Sequence, residues 1–176
     1  MVYALPDDFS QGITAEAPVP LESWFASDLA KKYPQNLELA KKTLSKTGSE
    51  SATVKIVLSY VKELEPTAKI ICDCWEQANI NCEMVQNEFP PVNFDAYLNF
   101  LSLPADPDQY ALWHSTQAAN LSGYHSPKID KLLEEGRETL DESARLDIYG
   151  QFQKAITEDV PVAFLFYPHV YTIGRK

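Results

Sequence analysis

The sequence predicts an α/β fold with a mixed sheet and flanking helices, on three observations that follow one another along the chain. Residues 53–60 (TVKIVLSY) are an apolar run of strand length with little strict alternation, as a strand covered on both faces shows. Ile70, Ile71, Cys74, Trp75 and Ala78 then recur at three- and four-residue steps, which puts them on one side of a helix. Ile80, Cys82 and Met84 resume at a period of two, which is a strand again. Strand, helix, strand over about thirty residues is a βαβ unit, whose right-handed crossover sets the two strands parallel.

The other elements fit around that unit. Residues 1–30 lack periodicity and carry Pro6, Pro18 and Pro20 with Gly12, so they predict an extended arm packed on or crossing an α/β lobe of residues 31–176. Trp24, Phe25 and Leu29 are the arm's candidate anchors, or else an exposed face for a partner. Residues 36–46 place Leu37, Ala40 and Leu44 on one side and lysines on the other, with Gly48 as a stop, which predicts a short surface helix. Pro66 suits the first turn of the βαβ helix and Asn79 its end, by the usual asymmetry of helix termini. Residues 97–102 alternate, Tyr97, Asn99 and Leu101 against Leu98, Phe100 and Ser102, and predict a further strand.

Residues 116–123 are polar and predict a loop, in which the formal glycosylation sequon Asn120-Leu121-Ser122 signals exposure. Ser126-Pro127 opens a helix, with a cap hydroxyl and a proline where no amide is needed, and Ile129, Leu132 and Leu133 are its buried side. Asp141 caps a second helix, in which Ala144, Ile148, Phe152 and Ile156, joined by Tyr149, form the apolar stripe. Beyond Pro161, residues 162–167 (VAFLFY) are too apolar for an edge and too short for a helix. They predict a central or well-covered strand.

With 176 residues and 45% apolar content, the chain can bury a sizeable core of ordinary domain size. Its 25 acidic and 15 basic residues give a net charge of −10, which opposes attraction to nucleic acid or an anionic membrane. No segment approaches the roughly 18 consecutive apolar residues of a spanning helix. Met1 is followed by VYALPDDFSQ, without the basic head or apolar core of a secretory signal; a fragment of a secreted parent would read the same way. Cys72, Cys74 and Cys82 form C-x-C-x7-C, which lacks the paired C-x2-C spacing of a structural zinc site, so no metal and no cofactor is expected. On a shared helix Cys72 and Cys74 point about 200° apart. Core thiols are the expectation, and one disulfide from Cys82 to either partner, with the third thiol left over, is the alternative.

Residues 94–115 (FDAYLNFLSLPADPDQYALWHS) carry the strongest functional signal, because an apolar run breaks there into an acidic, proline-punctuated loop that closes on Trp113 and His114. Loops placed by a scaffold are where binding surfaces are usually built. Asp106-Pro107-Asp108 reads as a turn whose carboxylates accept local backbone hydrogen bonds. The glycine and terminal glutamate of a calcium loop are missing. His114, His125 and His169 are too far apart in sequence to form a motif, and nothing supports a triad with Ser115 or Ser126. No catalytic residue is expected, so the chain reads as a binding surface and not an enzyme. Phe100, Leu101 and Leu103 at the end of the expected strand, Asp106 in the turn, and Trp113, whose indole can present a flat apolar face, are the candidate ligand-binding residues.

Several linked motifs carry a family resemblance. They are Tyr33-Pro34 with the helix up to Leu44 and Gly48; Phe94-Asp95 leading to Asp106-Pro107-Asp108 and Trp113-His114-Ser115; Gly123-Tyr124-His125-Ser126-Pro127-Lys128-Ile129-Asp130-Lys131-Leu132-Leu133; and Ala144-Arg145-Leu146-Asp147-Ile148-Tyr149. Glu158-Asp159-Val160-Pro161 running into Phe164-Leu165-Phe166-Tyr167 completes the set. In their order and spacing the chain resembles the C-terminal lobe of the extracytoplasmic solute-binding proteins of ABC importers, in the oligopeptide, dipeptide and nickel-binding family (family 5). The resemblance implies one lobe of a periplasmic-binding-protein-like (type II) fold. It also implies a missing N-terminal lobe, a membrane permease as the parent protein's partner, and a periplasmic or extracellular place, lipid-anchored or not.

In peptide-binding members of that family an aromatic side chain and an aspartate face the ligand, the aspartate pairing with the peptide's ammonium group. The resemblance places these positions on Phe100 and Leu103. An aliphatic side chain cannot neutralise an ammonium. A blocked or cyclic peptide, an oligosaccharide or another uncharged extended solute therefore stands beside the oligopeptide. A freestanding protein-interaction module, gripping a partner through the same surface and the aromatic-rich arm, is the competing reading.

Overall fold

The computed structural model describes residues 12–46, 54–92, 94–169 and 174. The chain divides into two compact units, Gln35–Ser102, and Met1–Pro34 with Leu103–Lys176.

The Gln35–Ser102 unit is the expected βαβ unit with one more strand. β2 (Val54–Tyr60) runs parallel to β3 (Ile80–Gln86) on one side and to β4 (Ala96–Leu98) on the other. After β2 a 3-10 turn, Lys62–Leu64, leads into α2 (Glu65–Gln77), with Pro66 in its first turn. Asn79 ends the helix at φ 63°, a left-handed conformation that asparagine tolerates better than most residues. The buried face of α2 is rotated from the expected one. Thr67, Ala68, Ile71 and Cys72 are buried, whereas Ile70 and Cys74 are half-buried. Leu64, at 2% exposure, begins the stripe inside the 3-10 turn, and helical spacing from there selects 67, 68, 71 and 72.

That rotation decides the cysteines. Cys72 lies on the face of α2 that meets β3, its Cα 5.3 Å from that of Cys82, and the two form a disulfide while Cys74 keeps its thiol. The expectation of three core thiols is corrected accordingly, and the disulfide alternative from Cys82 is the one realised. α1 (Leu37–Lys46) forms where amphipathic spacing predicts it and buries no residue fully. Asn36 caps it by accepting from the Leu39 amide at 2.8 Å. The expected stop at Gly48 lies outside the described residues.

The other unit is built on α3 (Tyr110–Trp113), α4 (Pro127–Glu138) and α5 (Glu142–Asp159), with a ribbon of β1 (Gly12–Thr14) antiparallel to β5 (Phe166–Pro168). Its core is Trp113, Ile129, Leu132, Leu133, Tyr149, Phe152, Ala155 and Ile156. Asp141 caps α5 by accepting from the Ala144 amide at 2.9 Å, as expected, although Ala144 itself is exposed. Ser126 precedes α4 without its hydroxyl bonding to the helix. A Cβ at Gly136 would stand 2.7 Å from Tyr149 Cζ, so only glycine lets α4 and α5 approach this closely. Val160 leaves α5 at φ 50°, in the left-handed region, with its amide closing on the Ile156 carbonyl at 3.1 Å, and Pro161 follows where the helix cannot continue.

Residues 162–167 do not form the central strand expected of them. The β5 ribbon takes only Phe166–Pro168, extended by a bond from the Ala15 amide to the Leu165 carbonyl at 3.0 Å. Val162 and Phe164 pack on the helical core instead, the Phe164 ring edge-on to Trp113 at 6.0 Å. The apolar run signalled burial, and helices supply it.

Polar side chains of the helical core hold the described part of the arm. Gln109 donates from Nε2 to the Pro18 carbonyl at 3.1 Å, while its Oε1 accepts the Trp113 indole N–H at 2.8 Å. Gln153 donates to the Phe25 carbonyl at 2.8 Å and accepts the Ser27 amide at 3.2 Å. The Thr157 hydroxyl oxygen accepts the Lys31 amide at 2.8 Å. Of the three candidate anchors Phe25 is buried, whereas Trp24 and Leu29 are 50% and 53% exposed.

Gln153→Leu leaves a buried carbonyl and a part-buried amide of the arm unpaired, so it is expected to destabilise the chain by about 1–3 kcal/mol. Thr67→Val is the opposite case, because the buried Thr67 hydroxyl has no partner. It should be neutral or stabilising by up to about 1 kcal/mol. Urea unfolding of both variants beside the wild type checks the pair.

Candidate functional site

In open α/β units ligands bind beyond the carboxyl ends of the strands. In the Gln35–Ser102 unit those ends are level, Tyr60 of β2 being in register with Gln86 of β3 and with Leu98 of β4. The Val61 amide closes onto the Leu98 carbonyl at 3.2 Å and the Asn87 amide onto the Tyr60 carbonyl at 2.9 Å. Beyond this edge stand Phe89, after β3, and Phe100 and Leu101, after β4, with 76%, 51% and 41% of their surface exposed. Large apolar side chains left in water beyond one edge mark a surface for binding.

The strand expected over residues 97–102 stops at Leu98. β2 ends opposite it at Tyr60 and turns into the 3-10 helix, so Asn99 finds no backbone there to pair with. Freed from the ladder, Phe100 and Leu101 sit on a loop. Asp95 steadies the start of β4, its carboxylate accepting the Val57 amide at 2.8 Å.

In the helical unit the Asp106-Pro107-Asp108 turn forms as its composition predicts. Asp106 Oδ1 accepts the Asp108 amide at 2.9 Å, and Asp108 Oδ1 accepts the Tyr110 amide at 3.0 Å. Two arginines then clamp it. Arg145 of α5 donates from both terminal nitrogens to Asp106, at 3.0 and 2.7 Å, and from Nε to the Gly136 carbonyl of α4 at 2.9 Å. Arg137 of α4 reaches Asp108 at 3.0 Å and lies 4.4 Å from the centre of the Tyr110 ring. The Arg145 guanidinium, aided by the Asp108 amide, holds the Asp106 carboxyl below the usual carboxylate range against a smaller upward push from burial.

Trp113 is 5% exposed and belongs to the helical core, its ring donor taken by Gln109. His114 is equally buried, stacked on Tyr110 with ring centres 4.1 Å apart. Its ring nitrogens meet Thr116 Oγ1 at 2.9 Å and Glu134 Oε1 at 3.3 Å. Ser115 donates its amide and its hydroxyl to Asp130, at 2.8 and 2.6 Å. These two bonds tie Ser115 to the first turn of α4. Burial pushes the Asp130 carboxyl up, but the two Ser115 hydrogen bonds, with smaller electrostatic contributions from the nearby His114 and His125, outweigh it and leave the group below its usual range. Asn120 of the sequon is half-buried and donates to the Tyr124 carbonyl at 2.8 Å. It braces its loop, and only Leu121 and Ser122 have the exposure the sequon signalled. Among the described residues no group of three or more His, Cys, Asp or Glu side chains could hold a metal ion.

The five candidate residues thus fall in different settings. Phe100 and Leu101 are exposed in one unit; in the other, Leu103 is half-buried, Asp106 is clamped and Trp113 is buried. Sequence reasoning missed Phe89, whose one signal is an aromatic before Pro90-Pro91 outside any periodic run. It also missed the roles of Arg137 and Arg145, although a cation between Ala144 and Leu146 on an apolar stripe asks for a partner.

Because Asp106 has its folded-state pKa lowered, its contribution to stability is fully present above the unfolded value of about 4 and is lost as pH falls through the folded value. The carboxylate is 53% exposed, so screening limits Asp106→Asn to a loss of about 1 kcal/mol or less near neutral pH. The difference from wild type should shrink as pH falls from neutral into the acid range, through the unfolded value and on through the lower folded one. Urea unfolding at neutral and at acid pH checks this, and a pH-independent difference would rule out the carboxylate charge as the source.

No protein-family model matches the chain. The oligopeptide-binding protein AppA of Bacillus subtilis is 34% identical over 90 residues, which are 49% of this chain and 17% of AppA. Di/tripeptide-binding protein 1 of Pseudomonas aeruginosa is 24% identical over 183 aligned positions, covering 94% of this chain and 34% of that protein. The solved structure of Bacillus subtilis AppA in complex with a nonapeptide matches the fold with a TM-score of 0.79 at 25% identity, over 90% of this chain and 37% of that one. The chain spans well under half the length of each. In sequence the chain is similar to these peptide-binding proteins, and it has the mixed α/β fold of one lobe of a periplasmic-binding-protein-like architecture.

Proposed function

We propose that this chain is a ligand-binding lobe of the substrate-binding component of an ABC importer, and that its solute is an oligopeptide. One observation carries the reading: the same protein, AppA, is similar in sequence and in fold, and its structure holds a nonapeptide. That favours a peptide over the oligosaccharide alternative. The relatives are binding proteins and not enzymes, and in this reading the chain does no chemistry. The freestanding interaction module loses half of its aromatic pair, because Phe25 is buried within its own unit.

In this reading Phe100 and Leu101 are the solute contacts of the Gln35–Ser102 unit; in the other unit Leu103 is a candidate contact, and Asp106 and Trp113 act by holding the loop that follows it. Apolar burial supplies affinity, and the peptide's backbone groups are satisfied from both sides when a second lobe closes over it. Leu103 offers no charge, so a blocked or cyclic peptide suits this position better than a free ammonium. The N-terminal lobe, a membrane permease and a periplasmic or extracellular place, with or without a lipid anchor, follow from the same reading.

Phe100→Ala in the full-length receptor is expected to weaken oligopeptide affinity about tenfold, since covering a phenylalanine stabilises by roughly 1.5–3 kcal/mol. Its unfolding midpoint should not move, the ring being half exposed without ligand. Equilibrium binding beside thermal unfolding tests this, and unchanged affinity would remove Phe100 from the solute surface.

A further inference from the structure

We propose that the Cys72–Cys82 disulfide is a redox gate on the folding of the Gln35–Ser102 unit, which reaches its stable native state only after a thiol–disulfide oxidant has acted on it. The disulfide ties the buried face of α2 to β3, the two elements that make the βαβ crossover. Among the described residues of that unit the other packing is slight. The large core cluster of the chain lies wholly in the other unit. Here the buried apolar set is Leu58, Tyr60, Leu64, Ala68, Ile71, Ala78 and Ile80 around Cys72. In its midst Thr67 keeps an unpaired hydroxyl, α1 buries no residue fully, and β4 has three residues. A unit below about 70–80 residues with so small a core is the size class that needs a covalent staple.

The chemistry is thiol–disulfide exchange. One thiolate, Cys72 or Cys82, attacks a disulfide of the oxidant and forms a mixed disulfide, and the other thiolate displaces the oxidant as its reduced dithiol. Two electrons pass from the cysteine pair to the oxidant's sulfurs, and the two thiol protons leave to solvent and the released thiolate. Cys74, two residues from Cys72, stays out of the exchange. It points to the other side of α2, and burial first, then the charge of Asp73, raises its thiol pKa, so little thiolate is available. Closing a loop of separation 10 disfavours the unfolded state by about a hundredfold in population. The unit is thus poised to stay loose in a reducing compartment and to set in an oxidising one, and this holds whatever the solute is.

The full chain, purified without reductant, supplies the test. Alkylation by iodoacetamide in denaturant is expected to mark Cys74 alone and to leave a linked Cys72–Cys82 peptide in the digest; three alkylated cysteines would overturn the proposal. Amide hydrogen exchange with and without dithiothreitol is the second arm. About a hundredfold loss of protection is expected in β2, α2 and β3 on reduction, with α4 and α5 unchanged. Unaltered protection in β2 and β3, or an equal loss in α4 and α5, would overturn it. Cys74→Ala should keep both the linked peptide and the protection, and loss of either counts against the assignment.

Discussion

Gln109 and Gln153, each 1% exposed, sit where a side-chain amide is tolerable only if its nitrogen and its oxygen both find partners. Each finds at least one partner far away in sequence, in the arm. Gln109 joins the Pro18 carbonyl to the Trp113 indole, and Gln153 joins the Phe25 carbonyl to the Ser27 amide. The arm has almost no regular structure of its own, so these amides stand where a sheet ladder would otherwise satisfy its backbone. The helical core, in turn, has two polar groups in its wall that only the arm can complete. Each part satisfies buried polar groups of the other, and Met1–Pro34 and Leu103–Lys176 form one compact unit.

The same constraint reaches the loop of functional interest. Gln109 directly follows the Asp106-Pro107-Asp108 turn and fixes Trp113 one helical turn on, so the turn enters α3 at a fixed point. Arg145 and Arg137 then hold the two carboxylates from α5 and α4. A loop held this way is preformed, so a ligand that used it would lose less in ordering it. Phe100 and Leu101, by contrast, are left without a strand partner beyond β4, which keeps their side chains open to water and available to a solute.

Features set by neighbours in sequence were legible before the structure. The βαβ unit announced itself by periodicity, the Asp106–Asp108 turn by residues that bond to their own backbone, and the α5 cap by Asp141. Features set by tertiary partners were not. The buried face of α2 depends on Leu64, which belongs to a 3-10 turn that pattern alone does not separate from the helix, and the disulfide follows from that rotation. The run 162–167 carried burial without saying against what, so its strand reading failed where helices did the covering. The length of β4 is fixed by where β2 ends, a fact of pairing. Of the candidate site residues, Phe100 and Leu101 have the exposure a ligand surface needs. The indole of Trp113 could read equally as a binding face or as core, and only its bond to Gln109 separates the two.

The central claim is that this chain supplies one side of a peptide site which a second lobe completes. Calorimetric titration of an oligopeptide pool and an oligosaccharide pool, into the chain alone and into a full-length receptor that contains it, tests that claim most directly. The account predicts that the receptor binds the peptide pool and that the chain alone binds it far more weakly. Equal affinity for the chain alone, or heat only from the oligosaccharide pool, would contradict it.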